Sequence, residues 1–448
     1  EFESLTPSEE VTYRIADQAL INRITNITKT VWNYDPGSPN FSPPPEMAEK
    51  KLAKLDYVVN DKNRLEYVYS YSEDNSVRPY NYDIRFSSHY YNYPTTNEKT
   101  TVSWYGDISD NFYVQVKHSD VEYTNDQDAL GGEDFPHVEI RITDSAGGYT
   151  SGSRESIFLG GDKYRSANET SATDEILNIK GVITAGDHEI TMGFDTIDKF
   201  VSNLFISRED GAYQFKGVDN YEAGIPSYFR FNQSATGNPY DAAAAFSGTF
   251  KTLYVQDKMY ISDILTVLVG VRMDSFAMDN GPAYNAIASE KLGFSNATPA
   301  KSRILQPRVG FNLDATDVMF SGSDRIVSAE LRGGLGLFAG RVPNVWLASP
   351  FSNTGVSTYG DRYYSPCQTP GAVSCFYGDT DLFALIPPSA VSPGGAEGID
   401  PDYETPSTWK TSIELDMTTA KGYNLRLAYN RDDEKKVLDS TMLLTLLM

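Results

Sequence analysis

The chain has 448 residues, of which 40% are hydrophobic, and a formal net charge of −23 at pH 7. That charge argues against nucleic-acid binding, which calls for a basic footprint. No stretch approaches the roughly 20 consecutive apolar residues of a membrane helix. The 30 Tyr, 22 Phe and 34 Gly favour strands joined by turns.

The first fifty residues differ in character from the rest. Prolines at 36, 39 and 43–45 interrupt them, and Glu46 to Lys54 is interpreted as a short helical or linker segment. We therefore predict a linker or approach segment over residues 1–50 and a β-rich portion over 51–448. The chain starts without Met or a signal-peptide pattern, and it ends directly after a charged stretch, so we expect a fragment or a processed chain.

From residue 52 onward, apolar and polar residues alternate with period two, which is typical of strands with one apolar face. In the first hairpin, for example, Leu65, Tyr67, Tyr69 and Tyr71 share one face. The predicted strands are 52–59, 63–72, 98–106, 110–123, 174–184, 187–200, 246–260, 264–278, 302–314, 325–340, 407–417 and 423–432.

The connections between these strands alternate between short and long. Turns such as Asn60 to Lys62 are followed by long stretches such as Thr124 to Thr173. Several strands exceed ten residues, which suits a tilted crossing of a bilayer. The pattern predicts an all-β fold: an antiparallel up-and-down transmembrane β-barrel with short periplasmic turns and long extracellular loops. About twelve strands are present.

The long loops are rich in Tyr, Asn, Gly, Ser and Pro, a composition that suits adaptable recognition or interfacial packing. Trp346, Tyr363 and Tyr364 are the candidate ligand contacts. Cys367 and Cys375, eight residues apart around Pro and Gly, suit a disulfide-closed loop, with two free thiols as the alternative.

Signatures of catalysis and of metal binding are missing from the sequence. Its four His do not pair at metal-ligand spacing, and no Gly-x-Ser-x-Gly elbow or P-loop is present. We therefore predict no enzymatic activity, no cofactor and no metal site. Calcium in the acidic stretch Asp120 to Asp134 stays open as an alternative, because loop carboxylates are its usual ligands.

Several segments, in order and spacing, resemble the barrel of TonB-dependent outer-membrane receptors, and in particular the large receptors with a carboxypeptidase-regulatory-like domain ahead of the plug. The segments are 253–262 (Tyr-x-Gln-Asp), 265–274 (Gly-x-Arg-x-Asp), 306–312 (Pro-Arg-x-Gly), 331–343 (Gly-rich, then Arg-x-Pro), 186–194 (Gly-x-His) and the hairpin 55–65.

The resemblance implies a 22-stranded barrel with a plug, in the outer membrane of a Gram-negative bacterium. A ligand would bind to the external loops and be passed through the lumen by energy that the TonB complex transmits to the plug. Implied partners are membrane lipid and lipopolysaccharide, the unknown ligand, and other outer-membrane or periplasmic subunits. The alternatives are a secreted or surface β-rich adhesin or glycan-binding protein, and an ungated porin.

The charged residues at alternate strand positions are the candidates for the lumen face, although they could instead simply pair across the barrel wall. These candidates are Glu189, Asp195, Arg272, Asp274, Arg308, Glu330, Arg332, Glu414 and Arg426.

Overall fold

A computed structural model describes residues 2–5, 16–79, 84–151, 155–363, 376, 396–436 and 443–446. Its largest feature is an antiparallel sheet of 13 strands. In spatial order, which is also chain order, they are β1 (Phe2–Leu5), β2 (Glu46–Asn60), β3 (Asn63–Arg78), β5 (Tyr91–Ser109), β6 (Phe112–Asp126), β9 (Asn168–Ala185), β10 (His188–Phe205), β13 (Ala244–Ser262), β14 (Leu265–Met278), β15 (Lys301–Asp314), β16 (Ile326–Ala339), β19 (Ser407–Thr419) and β20 (Asn424–Lys436).

This sheet confirms the predicted fold class. Each of the twelve predicted strands overlaps one observed strand, and consecutive strands pair up and down without a crossover. Within the described residues the two edge strands, β1 and β20, do not pair with each other. Several strands continue four to seven residues beyond their predicted ends on the long-loop side, because the hydrogen-bonded ladder does not stop where the apolar alternation stops.

The segment Glu46 to Lys54 is a strand and not a helix or linker, which corrects the sequence-based interpretation. It pairs in register with β3, from Met47 opposite Asn75 to Lys54 opposite Val68. Its Glu, Lys, Ala and Leu residues have good helix propensity, but pairing with a neighbouring strand overrides so weak a preference. The division at residues 50/51 stays a prediction.

The short connections lie at one rim of the sheet and the long ones at the other. Two of the tight turns depend on glycine: Gly186 has φ 59° and Gly422 has φ 80°, backbone angles that residues with a Cβ rarely adopt. The connection between β15 and β16 carries a short helix, Thr316–Phe320, at the same rim. The rhythm of short and long connections predicted from the sequence is therefore present.

The long connections contain a second, six-stranded sheet. Its order is β17 (Thr358–Tyr363), β12 (Tyr228–Ser234), β11 (Ala212–Lys216), β7 (His137–Ile142), β8 (Glu155–Leu159) and β4 (Ile84–Arg85). The pairs β11–β7 and β4–β8 are parallel, so this sheet joins segments from separate loops. We call these six strands, together with the helix 18–30, the loop assembly.

The helix α1 (Gln18–Thr30) packs on the six strands of the loop assembly. Asp17 caps it by accepting a hydrogen bond from the Leu20 backbone N–H at 2.9 Å, as N-cap carboxylates do. Leu20, Ile24 and Ile27 recur with helical spacing and are buried. They join one hydrophobic core with Phe86, Val138, Ile140, Ile157, Phe215 and Phe229, so residues far apart in sequence form a single packed body.

The remaining elements are short. They are α2 (Val218–Glu222), α3 (Ala286–Leu292), α4 (Thr316–Phe320), α5 (Asn344–Ser352), the 3₁₀ turns Ser87–His89 and Pro239–Ala242, and a two-stranded sheet of β18 (Ala396–Ile399) and β21 (Leu443–Leu446). In the described part of the chain, no helix has the length and apolar character needed to cross a membrane.

Candidate functional site

The two faces of the large sheet differ in chemistry. One face carries large apolar side chains that have no protein cover, including Leu253 (50% exposed), Val269 (46%) and Leu427 (63%). Monomeric soluble proteins rarely leave so continuous an apolar surface in water. Because strand residues alternate between faces, the side chains at the intervening positions of the same strands lie on the opposite face, which we call the polar face.

All nine predicted lumen candidates lie on this polar face. The register places Asp195 opposite Thr252 and Thr252 opposite Asp274, and it continues through β15 and β16 to β19 and β20. That these side chains line a lumen stays a prediction. Their common face is the geometry that such a lining requires.

Arg272 and Asp274 form the centre of a polar network on β13, β14 and β15. The Arg272 guanidinium lies 2.8 Å from Asp274 Oδ1. Asp274 also accepts hydrogen bonds from the Thr252 hydroxyl at 2.7 Å and the Gln306 amide at 2.5 Å. Three strands are therefore joined through one carboxylate.

A second network joins β16, β19 and β20. Arg332 pairs with Glu414 at 2.7 Å and also contacts Asp416. Arg426 pairs with the same Asp416 at 2.8 Å. These charges pair between neighbouring strands and present polar atoms to the same side of the sheet. Whether they line a lumen or only pair across the wall stays a prediction.

Further ion pairs of this kind were not singled out from the sequence. Lys54 pairs with Glu66 at 2.7 Å and Arg64 with Asp56 at 2.8 Å, on β2 and β3. The alternation that identified β3 could have indicated Arg64 and Glu66. Lys54 was hidden because Glu46 to Lys54 was interpreted as a helical or linker segment, whereas Asp56 lay in the predicted strand 52–59 and was simply not singled out.

A cavity of about 290 Å³ lies against the Arg272 network, lined by Asp195, Thr252, Arg272, Asp274 and Arg341 among others. Arg341 is exposed, and it forms no ion pair with any residue that the structure describes. It follows β16 directly, at the long-loop rim. Its guanidinium can donate hydrogen bonds to an anionic or polar group placed in this cavity.

The predicted loop contacts are only partly within the described chain. Trp346 lies on α5 and is 40% exposed, so it is available to a ligand. Tyr363 ends β17, opposite Phe229. Tyr364, Cys367 and Cys375 lie outside the described residues, so the contact and the disulfide stay predictions.

A buried pair of histidines links two loops of the loop assembly, and no pattern in the sequence pointed to it. Arg85 lies 2.6 Å from His89 Nδ1, and His89 Nε2 lies 2.8 Å from His137 Nδ1. Because a guanidinium can only donate, His89 Nδ1 accepts. His89 Nε2–H then donates to His137, whose other ring nitrogen donates to the Gly161 backbone. Each ring is thus fixed as one neutral tautomer.

The surroundings of this pair favour the uncharged rings. Burial lowers the pKa of His89 and of His137 well below the usual value, and the nearby cations Arg85 and Lys163 act in the same direction. Asp162, 3.8 Å from His89 Nδ1, is itself buried, and burial raises the pKa of its carboxyl. The hydrogen bond between His89 and His137 therefore joins the connection between β3 and β5 to the connection between β6 and β9 while both rings stay neutral.

Metal binding gains no support from the geometry of the described residues. Within those ranges, no three or more His, Cys, Asp or Glu side chains are grouped so that they could hold a metal ion. This applies to the acidic stretch Asp120 to Asp134, where loop calcium was left open.

A sheet with one uncovered apolar face, one ion-paired face, short turns at one rim and long loops at the other defines the wall of an outer-membrane β-barrel. The sequence comparison agrees: the chain belongs to the family of the outer membrane beta barrel domain, whose model matches residues 15–432. The predicted location in the outer membrane of a Gram-negative bacterium is thereby confirmed.

Several solved outer-membrane proteins are similar to this chain. The outer membrane transporter YddB from Escherichia coli is similar with a TM-score of 0.54 at 10% identity, over 90% of this chain and 43% of that one. The FrpB iron transporter from Neisseria meningitidis is similar with a TM-score of 0.48 at 10% identity, over 100% of this chain and 51% of that one. The ferric-catecholate import receptor Fiu from E. coli is similar with a TM-score of 0.43 at 10% identity, over 87% of this chain and 51% of that one. No curated protein sequence matches the chain.

The chain thus spans about half the length of these structures or less. At 10% identity, the likeness to YddB concerns the fold alone.

Proposed function

We propose that this chain is the barrel portion of a TonB-dependent outer-membrane receptor, which takes up a ligand bound by its extracellular loops. The observation that carries the proposal is the two-faced sheet joined to a folded loop assembly. Inside a closed barrel the ion-paired face lines a route for polar solutes, and the loop assembly, with its own core, offers a surface on which a ligand binds before entry.

The finer features of the proposal come from the sequence resemblance. They are a plug that contacts the TonB complex, and membership of the subgroup with a carboxypeptidase-regulatory-like domain. We further propose that the protein is a transporter and not an enzyme, in keeping with the lack of a catalytic motif in the sequence. The chemical class of the ligand is left to experiment.

The lumen assignment can be tested by cysteine labelling of the full-length protein in intact outer membranes. Ser412 lies on the polar face of β19, and its neighbour Ile413, 45% exposed, lies on the apolar face. We expect a water-soluble maleimide to label the variant Ser412→Cys and not Ile413→Cys, each measured against the parent chain with its own Cys367 and Cys375. The reverse pattern would contradict a water-filled lumen.

Uptake can be tested by comparing a deletion strain with its complemented counterpart on single limiting nutrients: iron chelates, oligosaccharides and peptides. We expect complementation to restore growth on one class, and a protonophore to abolish that uptake, because TonB-dependent transport needs an energised inner membrane. Gene-dependent uptake that survives the protonophore would indicate an ungated porin. Release of the protein from membranes without detergent would indicate an adhesin.

A further inference from the structure

A cavity of about 320 Å³ lies among the connections that lead into the loop assembly, and carboxylates dominate its lining. The connections between β6 and β7, between β8 and β9 and between β10 and β11 all contribute to it. Its acidic residues are Asp128, Glu133, Asp134, Asp162 and Asp210, and Arg165 also lines it. We call this cavity the acidic pocket.

Asp162 is a buried carboxylate of the acidic pocket, and one of its oxygens has no hydrogen-bond donor. The side chain is 1% exposed, and Oδ1 accepts a hydrogen bond from the Tyr164 backbone N–H at 2.8 Å. Oδ2 forms no hydrogen bond with any residue that the structure describes. His89 Nδ1 lies 3.8 Å from Oδ2, but it accepts from Arg85 and has no proton to donate. Because a buried oxygen without a donor is costly, a ligand that supplies an N–H group would be favoured there.

Two exposed carboxylates, Asp128 and Glu133, belong to the same lining. A tight turn lies between them, in which the Gly132 N–H donates to the Ala129 carbonyl at 3.0 Å. The turn reverses the chain, so both carboxylates line one pocket. Neither forms an ion pair with a residue in the described part of the chain, and both are therefore available to a cation.

The negative charges of the acidic pocket crowd one another. Burial, and a hydrogen bond with Glu209, raise the pKa of Asp210 to about 8. Arg165 lies over the Tyr91 ring, 4.0 Å from its centroid, and acts on Asp162 only at a distance. Within the described ranges it forms no ion pair with a carboxylate. A cation that enters the pocket would therefore be attracted by several carboxylates at once.

The spacing of these carboxylates suits an organic cation better than a metal ion. Among the described residues, no three of them are grouped so that they could hold a metal. A guanidinium is planar and spreads its N–H donors in a fork, so it can pair with carboxylates at more than one position. An ammonium group is a compact point charge and reaches fewer of them.

We propose that the acidic pocket binds a guanidinium group of the ligand, which donates one N–H to Asp162 Oδ2 and others toward Asp128 and Glu133. This inference deepens the proposed function, on which it rests for the role of the loops in binding the ligand. An arginine side chain of a peptide and a free guanidinium compound share this chemistry, and the test separates the two.

The test measures binding of a fluorescently labelled peptide with one central arginine to the detergent-purified full-length protein. Asp162→Asn keeps the shape of the side chain and should weaken binding at least about tenfold, because a hydrogen bond to a charged group contributes roughly 10- to 100-fold in affinity. Asp128→Asn/Glu133→Gln should weaken it about two- to 20-fold, because each exposed ion pair contributes about 1.4- to 5-fold. The matched control Asp279→Asn/Glu290→Gln removes two exposed carboxylates of another long connection and should bind like the parent.

A peptide with citrulline in place of arginine has nearly the same shape without the charge. It should bind weakly and equally to the parent and to Asp162→Asn, whereas a merely structural effect of the substitution would lower binding of both peptides. Equal binding of the two peptides by the parent would overturn the proposal, as would an equal loss in the control variant. Displacement of the arginine peptide by millimolar calcium would show a metal site and overturn it as well.

Free arginine serves as a competitor that identifies the source of the guanidinium. Competition as strong as that of the unlabelled peptide would support a small guanidinium compound, and weaker competition would support a peptide. Because binding is measured without transport, a failure to bind the arginine peptide beside intact energy-dependent uptake would contradict only this inference. If Asp162→Asn does not fold, Asp128→Asn/Glu133→Gln, at two exposed positions, decides the test by itself.

Discussion

Acidification is expected to loosen the loop assembly by charging His89 and His137. Their pKa values in the folded state lie well below the usual 6.5. Above pH 6.5 both states of the chain carry neutral rings. As the pH falls below 6.5, the unfolded loops bind protons that the folded loops do not, so the stability of the assembly falls.

The size of this effect follows from the proton linkage. One pH unit below 6.5, each ring that stays neutral in the fold costs about 1.4 kcal/mol, and the pair about 3 kcal/mol. A second group opposes it: burial, and a hydrogen bond with Glu209, raise the pKa of Asp210 to about 8. Asp210 therefore gains a proton on folding over the same range. The histidine contribution must be taken as a difference between variants that both keep Asp210.

The assay is hydrogen exchange of the β7 and β8 amides at pH 7.5, 6.5 and 5.5, corrected for intrinsic rates, in the parent and in His89→Gln/His137→Gln. The difference in opening free energy between the two should shift by about 3 kcal/mol from pH 7.5 to 5.5, in the variant's favour. Amides of β9 and β10, in the large sheet, serve as the internal control. An unchanged difference across this range would refute the argument that the rings are held neutral.

Three other substitutions probe separate parts of the fold. Asp210→Asn should stabilise the loop assembly at neutral pH, and its advantage should grow by about 1.4 kcal/mol per unit up to pH 8. The reason is that the carboxyl of Asp210 is ionised in the unfolded loops at these pH values, whereas in the fold its pKa is about 8, so it must take up a proton to fold. A difference in exchange that does not change with pH would contradict this. Ile24→Ala removes a fully buried side chain of α1 and should lower the unfolding free energy of the loop assembly by about 2–5 kcal/mol. The protease sensitivity of the loops measures this loss, and Val31→Ala, at an exposed position, is the control. A double-mutant cycle of Arg332→Gln with Glu414→Gln should give a coupling free energy of about 0.2–1 kcal/mol, because both side chains are partly exposed. Thermal unfolding in detergent measures this coupling. A value of several kcal/mol would contradict the partly solvated geometry of the pair.

The sequence alone was sufficient to predict the strands that form the wall of the barrel. A strand that separates lipid from a polar interior needs apolar residues at every second position, and this period is visible in a strand such as 265–274 without any partner. The alternation of short and long connections then indicated which rim carries the tight turns and which carries the long loops. The polar-face candidates, including Arg272 and Arg332, followed from the same alternation.

The tertiary structure decided what alternation does not encode. Which carboxylate Arg332 meets depends on the register between β16 and β19, and its partner Glu414 lies 82 residues away in sequence. The segment Glu46 to Lys54 became a strand because β3 offered a hydrogen-bonding edge, against its own helical preference. His89 and His137 meet because separate loops share one core, and short segments such as β4 and β8 have no periodicity long enough to read. Local patterns specify which face a residue takes, whereas long-range packing selects its partner.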